Sequence, residues 1–372
     1  MFNTLKRYIQ NFPGKSTNRK FVVVESDDWG SIKMPSHSLF EKLKKEGYKP
    51  EKDPYLKYDS LASEEDFQAI FEVLNSVKDK NGNPAKITAN AVVANPDFSK
   101  IRENKFEKYE YESFLKTLDR YPKHAKSFDL WKEGMEQKLF WPQYHGREHI
   151  NVFQWMKSLK ENDKNLRYAF ENEMISISSL NTGLRFGHME GLDYFSEEER
   201  QTKAAIIKDG MNMFEDIFGY KSLSFIANCY IWDDLVEQTL SQIGVKYLQG
   251  ISNQCIPKLD VNNNHSLEYK THYFGEKNKY GQRYFFRNAF FEPSLFPETD
   301  WVADCLQRIN IAFNCNKPAI IGSHRLNFIG FIDENNRTKN LKQFKILLKE
   351  ILKRWPTVEF VSTDELDVIF NK

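Results

Sequence analysis

The repeated alternation of short apolar runs with amphipathic segments most constrains the fold of this chain. The first apolar run, residues 21–24, is rich in valine and leads into Glu25, Ser26, Asp27 and Asp28. Such a run is typical of a parallel strand that is buried on both faces. We predict further strands at residues 87–94, 223–227, 246–248, 319–322 and 358–361, with helices between them. This order predicts an α/β fold, a parallel barrel or a doubly wound sheet, with its site at the carboxyl ends of the strands.

The spacing of apolar residues predicts helices in some of the remaining stretches and an irregular insertion in another. Residues 64–78 carry apolar side chains at helical spacing, and residues 111–138 are predicted to be mostly helical. The stretch at about 160–195 has no clear period, and we interpret it as an insertion. Because one α/β barrel can exceed about 250 residues, we predict an N-terminal extension at residues 1–20 and a single domain over residues 21–372.

The charge and cysteine content exclude several classes of protein. Lys and Arg number 53 against 52 Asp and Glu, so a formal net charge of +1 gives no overall attraction to nucleic acid, and we predict no such partner. The four cysteines form no CxxC pair, which favours a reducing compartment. No apolar run has the length of a signal peptide or the ~18 residues of a membrane span. We therefore predict a cytoplasmic protein without a membrane span; its oligomeric state is left open.

Three short motifs carry the side chains that a hydrolytic metal site needs. Asp27 and Asp28 follow the first strand, so one carboxylate can bind a metal ion while the other faces substrate. His145 and His149 are four residues apart, which would place both imidazoles on one face of a helical turn. With Asp28 they form a His-His-Asp set that leaves open positions for water. His324 ends another predicted strand and can reach the same edge of the sheet.

Each motif also has a purely structural interpretation. Paired aspartates often cap helices, HxxxH pairs occur on exposed helices, and a buried histidine such as His324 often bonds a carbonyl group. The position of all three motifs at predicted strand ends favours a common site.

The motifs resemble those of the NodB-homology polysaccharide deacetylases of carbohydrate esterase family four. The resemblance covers nearly the whole chain and is carried by five stretches. These are the aspartate pair Asp27 and Asp28, the HxxxH motif from His145 to His149, the strand, turn and helix of residues 224–244, the strand and histidine of residues 320–324, and the final strand and helix of residues 359–366. The resemblance implies a distorted (β/α)7 TIM-like barrel, here with inserted loops and helices.

The resemblance also implies a role for each motif residue. Asp27 would be the general base and His324 the general acid, and Asp28, His145 and His149 would bind one divalent metal ion. Zinc is the expected metal, with cobalt, nickel or manganese as alternatives. The implied reaction is the removal of an N-acetyl or O-acetyl group from a sugar or polysaccharide, so an acetylated carbohydrate is the expected partner.

The chain departs from the family pattern at two orienting residues. Ile226 stands where the family usually carries an arginine that orients the base. The candidates to replace it are Arg147, Arg287 and Arg325. Asp300 is predicted to orient His324, although Pro297 stands where a further aspartate is expected three residues earlier. Whether Glu25 touches the site or only ends the strand is left open.

Aromatic residues make up 15% of the chain, and several lie next to the motifs. Flat rings pack on the C–H faces of sugars, so a cleft lined with them suits a carbohydrate. We predict that Trp29 and Trp232 are exposed in this cleft, because each follows a strand. Further substrate contacts are predicted from Tyr144, Arg147, Arg325 and Asn90.

Two other functions stay open from the sequence. The same barrel and metal can hydrolyse another C–N amide bond, in which case a small closed pocket is expected instead of an open groove with exposed Trp29 and Trp232. The missing arginine and the altered histidine motif also allow a carbohydrate-binding relative that does not catalyse.

Overall fold

A sheet of parallel strands covered by helices organises the molecule. The structure is a computed structural model that describes residues 2–177 and 185–370. Its strands are β1 (Lys20–Trp29), β2 (Ile87–Ala91), β3 (Ala94–Pro96), β4 (Tyr111–Ser113), β5 (Phe140–Tyr144), β6 (Ser224–Ile226), β7 (Tyr247–Gly250), β8 (Asn253–Leu259), β9 (His265–Thr271), β10 (Arg283–Phe286), β11 (Ala289–Phe290), β12 (Ala319–His324) and β13 (Val358–Phe360). The α-helices span Phe2–Asn11, His37–Lys45, Pro54–Tyr58, Glu64–Asn75, Phe98–Glu103, Phe114–Leu118, Ser127–Glu136, Val152–Lys160, Lys164–Glu171, Glu197–Phe218, Asp234–Gln242, Trp301–Asn314 and Glu334–Arg354.

Nine of the strands form one sheet, and every pairing within it is parallel. The strand order is β10-β7-β6-β5-β2-β1-β12-β11, and β13 also pairs with β1. Two separate antiparallel pairs, β3 with β4 and β8 with β9, lie outside this sheet. The α/β class predicted from the alternation of strands and helices is confirmed. None of the described helices is long and apolar enough to span a membrane.

The two edge strands of the sheet, β10 and β11, are joined by only Arg287 and Asn288. Since one residue spans at most ~3.6 Å, the sheet must curl until its edges come together. The Arg287 amide donates to Gly250 O in β7, and the Asn288 amide donates to Ile320 O in β12. No ladder joins β10 to β11 among the described residues. The parallel α/β architecture is therefore as predicted, whereas the distorted TIM-like barrel implied by the resemblance appears as a curled sheet whose ladder is open among the described residues.

Strand β1 lies inside the sheet and delivers the aspartate pair to its carboxyl edge. Residues 21–29 are all buried, and β1 pairs with β12 and with β2. Val22 and Val23 pack into different core clusters, as expected for a strand covered on both faces. The parallel register sets Asp27 opposite His324, the last residue of β12. Two motifs that are far apart in the sequence thus meet at one edge of the sheet.

Two predicted elements differ from the structure. Residues 87–94 form two strands, because β2 ends at Ala91 and β3 then pairs antiparallel with β4. Residues 111–138 begin with β4 rather than with helix, and two helices follow it. The antiparallel partner lies elsewhere in the chain, so a local pattern cannot reveal it. The predicted insertion contains the helix Lys164–Glu171, while its residues 178–184 lie outside the described residues.

The two tryptophans predicted to be exposed belong to the core. Trp29 is 1% exposed and packs edge-on against Phe140, with 4.7 Å between ring centroids, while its Nε1 donates to Ser26 Oγ at 2.9 Å. Trp232 is 3% exposed, and its Nε1 donates to Glu237 Oε1 at 3.0 Å. The prediction that these rings line a cleft is wrong, because each has an apolar surrounding and a buried acceptor for its N–H group.

Candidate metal centre

Asp28, His145 and His149 come together at the carboxyl edge of the sheet. One ligand atom from each lies within 4.8 Å of the others, and all three side chains are buried. The Nε2 atoms of His145 and His149 lie 3.5 and 3.2 Å from Asp28 Oδ1. The structure therefore assembles the three residues that the sequence predicts as a set.

An irregular loop after β5, rather than the predicted helical turn, carries the two histidines. Gly146 turns this loop at a φ of 120°, a conformation that other residues rarely adopt. His145 Nδ1 donates to Ile226 O at 2.9 Å, which leaves the Nε2 lone pair facing Asp28. Asp28 has a φ of 73°, and such strain in a non-glycine residue costs about 1–3 kcal/mol and is typical of functional sites.

The donor atoms of this group have unmet bonding capacity. Asp28 Oδ1, His145 Nε2 and His149 Nδ1 are buried and have no hydrogen-bond partner in the described structure. A buried polar atom left alone costs about 1–3 kcal/mol, so it calls for a bound ligand or another explanation. Burial lowers the pKa of His149 to about 3, which keeps its imidazole in the neutral, ligating form. One carboxylate and two neutral imidazoles suit zinc and similar divalent ions, so this group can hold one metal ion.

Asp27 is held by Arg287, one of the three candidate arginines. Two nitrogens of Arg287 donate to the two carboxylate oxygens of Asp27 at 2.6 Å each, and Nε donates to Glu25 Oε2 at 2.7 Å. Asn90 Nδ2 also donates to Asp27, at 2.8 Å. Burial raises the pKa of Asp27, but the Arg287 guanidinium outweighs it and lowers that pKa to about 2. Glu25 therefore does reach the site, through Arg287, and Asn90 contacts the carboxylate of Asp27.

The other two candidate arginines and Tyr144 form hydrogen bonds outside the metal group. Arg147 Nε donates to Glu148 at 2.6 Å, and Arg325 Nε donates to Asp59 at 2.8 Å. The Tyr144 hydroxyl is buried and donates to a backbone carbonyl at 3.2 Å. The sequence predicts substrate contacts from all three residues, but each is bonded inside the protein, and none lines the cavity next to the metal group.

His324 lies across from Asp27 and is held by Glu292. Its Nδ1 donates to Glu292 Oε1 at 2.7 Å, and its Nε2 lies 4.0 Å from Asp27 Oδ2. Burial lowers the pKa of His324, but the contact with Glu292 outweighs it and raises that pKa to about 9. The predicted orienting residue, Asp300, is exposed and accepts from the Ala303 amide as a helix N-cap. Glu292 takes the place predicted for Asp300.

A cavity of about 500 Å³ lies in front of these groups. The predicted site residues in its wall are Asp27, Asp28, His145, His149 and His324. Residues 52–56 and 175–177 form other parts of the wall, and Tyr55 and Tyr230 supply aromatic rings there instead of the predicted tryptophans. A cavity of this volume lies within the usual range of small-molecule sites.

Comparison with known proteins gives likeness in overall shape only. No family model and no curated protein matches the chain significantly, whereas 18 solved chains do. A Puue allantoinase has a TM-score of 0.47 at 10% identity, over 97% of this chain and 92% of that one. A probable polysaccharide deacetylase from Pseudomonas aeruginosa PAO1 has a TM-score of 0.47 at 8% identity, over 96% and 94%. For a 4-alpha-glucanotransferase from Thermococcus litoralis the TM-score is 0.42 at 10% identity, and the match covers 95% of this chain but 40% of that one.

Proposed function

We propose that the protein is a metal-dependent hydrolase that removes an N-acetyl or O-acetyl group from a small sugar. The observation that carries this proposal is that a buried His-His-Asp group with unmatched donor atoms, an ionised carboxylate and a protonated imidazole all face one cavity. These are the groups that hydrolysis of an amide or ester by a water molecule requires. They are also the residues that carry the resemblance to the polysaccharide deacetylases.

The proposed cofactor is one divalent ion, zinc in the first place, with cobalt, nickel or manganese as alternatives. Asp28, His145 and His149 would hold it, and Asp28 Oδ1 and His145 Nε2 have no hydrogen-bond partner in the described structure. Bound there, the ion would supply a water of lowered pKa and polarise the acyl oxygen.

Asp27 and His324 divide the acid and base roles. With its pKa lowered to about 2 by Arg287, Asp27 is ionised at neutral pH and can accept the proton of the attacking water. With its pKa raised to about 9 by Glu292, His324 is protonated at neutral pH and can donate to the leaving amine or alcohol. Two titratable groups whose environments move their pKa values apart are typical of an acid and base pair.

The wall of the cavity, which contains neither Trp29 nor Trp232, favours a second candidate, the hydrolysis of another C–N amide bond in a small molecule. Burial of Trp29 and Trp232 removes the open aromatic groove that favoured a long glycan. A relative that only binds sugar is less well supported, because Arg287 holds the carboxylate of Asp27 and Glu292 holds the imidazole of His324.

The test combines metal analysis with product assays. Purified protein is assayed for bound divalent metal, for acetate release from acetylated amino sugars and for opening of small cyclic amides. Asp27→Asn and His145→Ala are the test variants, and His37→Ala, an exposed histidine outside the cavity, is the matched control. Acetate release identifies the deacetylase, and amide opening alone identifies the second candidate. Absence of metal from the wild type, together with unchanged turnover in His145→Ala, would overturn both.

A further inference from the structure

Lys33 brings a positive charge without an ion-pair partner into the wall of the cavity next to the proposed metal group. Its side chain is 9% exposed, and the residue lines the cavity together with Asp28 and His149. No described carboxylate lies within 4.0 Å of its ammonium group. The ammonium group contacts the Met189 sulfur at 3.8 Å and lies 5.6 Å from the centroid of the Tyr55 ring.

The other buried lysines of the described chain have oxygen acceptors. Lys86 Nζ lies 2.7 Å from Glu365 Oε2, Lys203 Nζ donates to Gly191 O at 2.9 Å, and Lys317 Nζ donates to Gly14 O at 2.8 Å. A buried ammonium without such an acceptor is costly, because it has lost its hydration and gained no charge or oxygen in return. Lys33 differs from the other three lysines because its ammonium group has no oxygen acceptor among the described residues, which is typical of an anion-binding site.

The carboxylates around this part of the cavity are bonded to other groups. Asp59, on which the charge of Lys33 also acts, accepts from Arg325 Nε at 2.8 Å. Asp27 is paired with Arg287, and Asp28 faces the two histidines that would share its metal ion. Asp53 also lines the cavity, but its Oδ1 accepts from the Tyr55 amide at 2.9 Å as a helix cap. Since none of these carboxylates lies within 4.0 Å of the Lys33 ammonium group, a directly paired anion has to come from the molecule that enters the cavity.

We propose that Lys33 binds a carboxylate or phosphate group of the substrate, so that the small acylated sugar is an acidic one. This inference rests on the proposed function for the identity of the reaction, but the anion site itself does not depend on turnover. A bound metal ion already provides positive charge for an oxyanion at the acyl group, which leaves the Lys33 ammonium for a different part of the substrate.

The test compares the binding of one neutral and two anionic sugars by titration calorimetry. The probes are N-acetylglucosamine, its 6-phosphate, and N-acetylmuramic acid, so the two anionic arms separate phosphate from carboxylate. Wild type, Lys33→Met, Lys33→Arg and the exposed control Lys132→Met are compared. We expect the wild type and Lys132→Met to prefer at least one anionic sugar by about ten- to a hundredfold, as a charged hydrogen bond allows.

Lys33→Met should abolish this preference and change the affinity for the neutral sugar by less than about twofold, while Lys33→Arg should keep part of the preference. The thermal stability of Lys33→Met should equal or exceed that of the wild type, since this substitution removes an unpaired buried charge. Equal binding of all three sugars by the wild type, or a preference that survives in Lys33→Met, would overturn the inference. Loss of acetate release with a Lys33-dependent preference intact would instead count against the proposed function alone.

Discussion

The loop from His145 to His149 has two faces that are equally buried but chemically opposite. On one face, His145 Nε2 and His149 Nδ1 have no hydrogen-bond partner. On the other, Arg147 and Glu148 form a two-point ion pair at 2.6 and 3.0 Å, and Arg147 also donates to Asp209 at 2.9 Å. Burial alone therefore does not distinguish a structural polar group from a functional one. The distinction lies in whether the polar atoms have partners inside the protein.

This contrast predicts that the two faces respond to substitution in opposite ways. The histidine face should lose metal and activity with little change in folding, because its atoms contribute few internal bonds. The arginine face should lose stability and keep its metal, because removal of one partner leaves the other as an uncompensated buried charge.

The largest effect is expected for His145→Ala. Loss of one of three metal ligands should lower kcat/KM on the order of a thousandfold, since a metal ion contributes several kcal/mol to such reactions. The free energy of unfolding without metal should fall by only about 1 kcal/mol, the value of the hydrogen bond to Ile226 O. Metal content per chain, steady-state kinetics and urea unfolding measure these three quantities. Full metal content in the variant would show that the two faces do not differ as described.

Arg147→Met tests the other face. Because it leaves buried Glu148 without its cation, the free energy of unfolding should fall by about 3 kcal/mol. The metal content and the KM of the folded variant should match those of the wild type. A variant that is as stable as the wild type but has lost its metal would reverse the assignment of the two faces.

Glu292→Gln extends the comparison to the acid. A general acid works while it is protonated, so activity is lost as the pH rises through its pKa. In the wild type this alkaline loss of activity is centred near the His324 pKa of about 9. Removal of the Glu292 charge moves that pKa down toward 6.5. Activity at pH 8 should therefore fall about thirtyfold, with a loss of less than about twofold at pH 6. The pH profile of kcat/KM measures this shift, and an alkaline limb that stays near 9 would exclude His324 as the acid held by Glu292.

The smallest effect is expected for Trp232→Phe. The substitution keeps an aromatic core side chain and removes the hydrogen bond to Glu237 Oε1, which should cost about 1 kcal/mol of stability. The KM for the best substrate should change by less than about twofold, because the ring does not line the cavity. A several-fold rise in KM at normal stability would mean that Trp232 contacts the substrate after all.

Apolar runs with polar residues behind them predicted both the fold class and the edge of the sheet where the motifs meet. Asp28, His145 and His149 could be named because their residue types and spacing are local signals. Glu292 could not be named, although it too follows a strand, because β11 has only two residues, which are too few to show the period of a strand. The sequence predicted this orienting role for Asp300 instead, since a helix-capping aspartate and an orienting aspartate cannot be told apart in sequence.

The sequence by itself determined the alternation of strands and helices and the chemistry at their ends, because hydrophobic periodicity and motif spacing act over short stretches of chain. Only the tertiary structure decided which arginine holds Asp27. Arg287 reaches it from the link between β10 and β11, and that position depends on how far the sheet curls. It also decided that Trp29 belongs to the core and that no described carboxylate lies within ion-pair distance of Lys33. Partners of this kind come from distant parts of the chain, and packing rather than local pattern selects them.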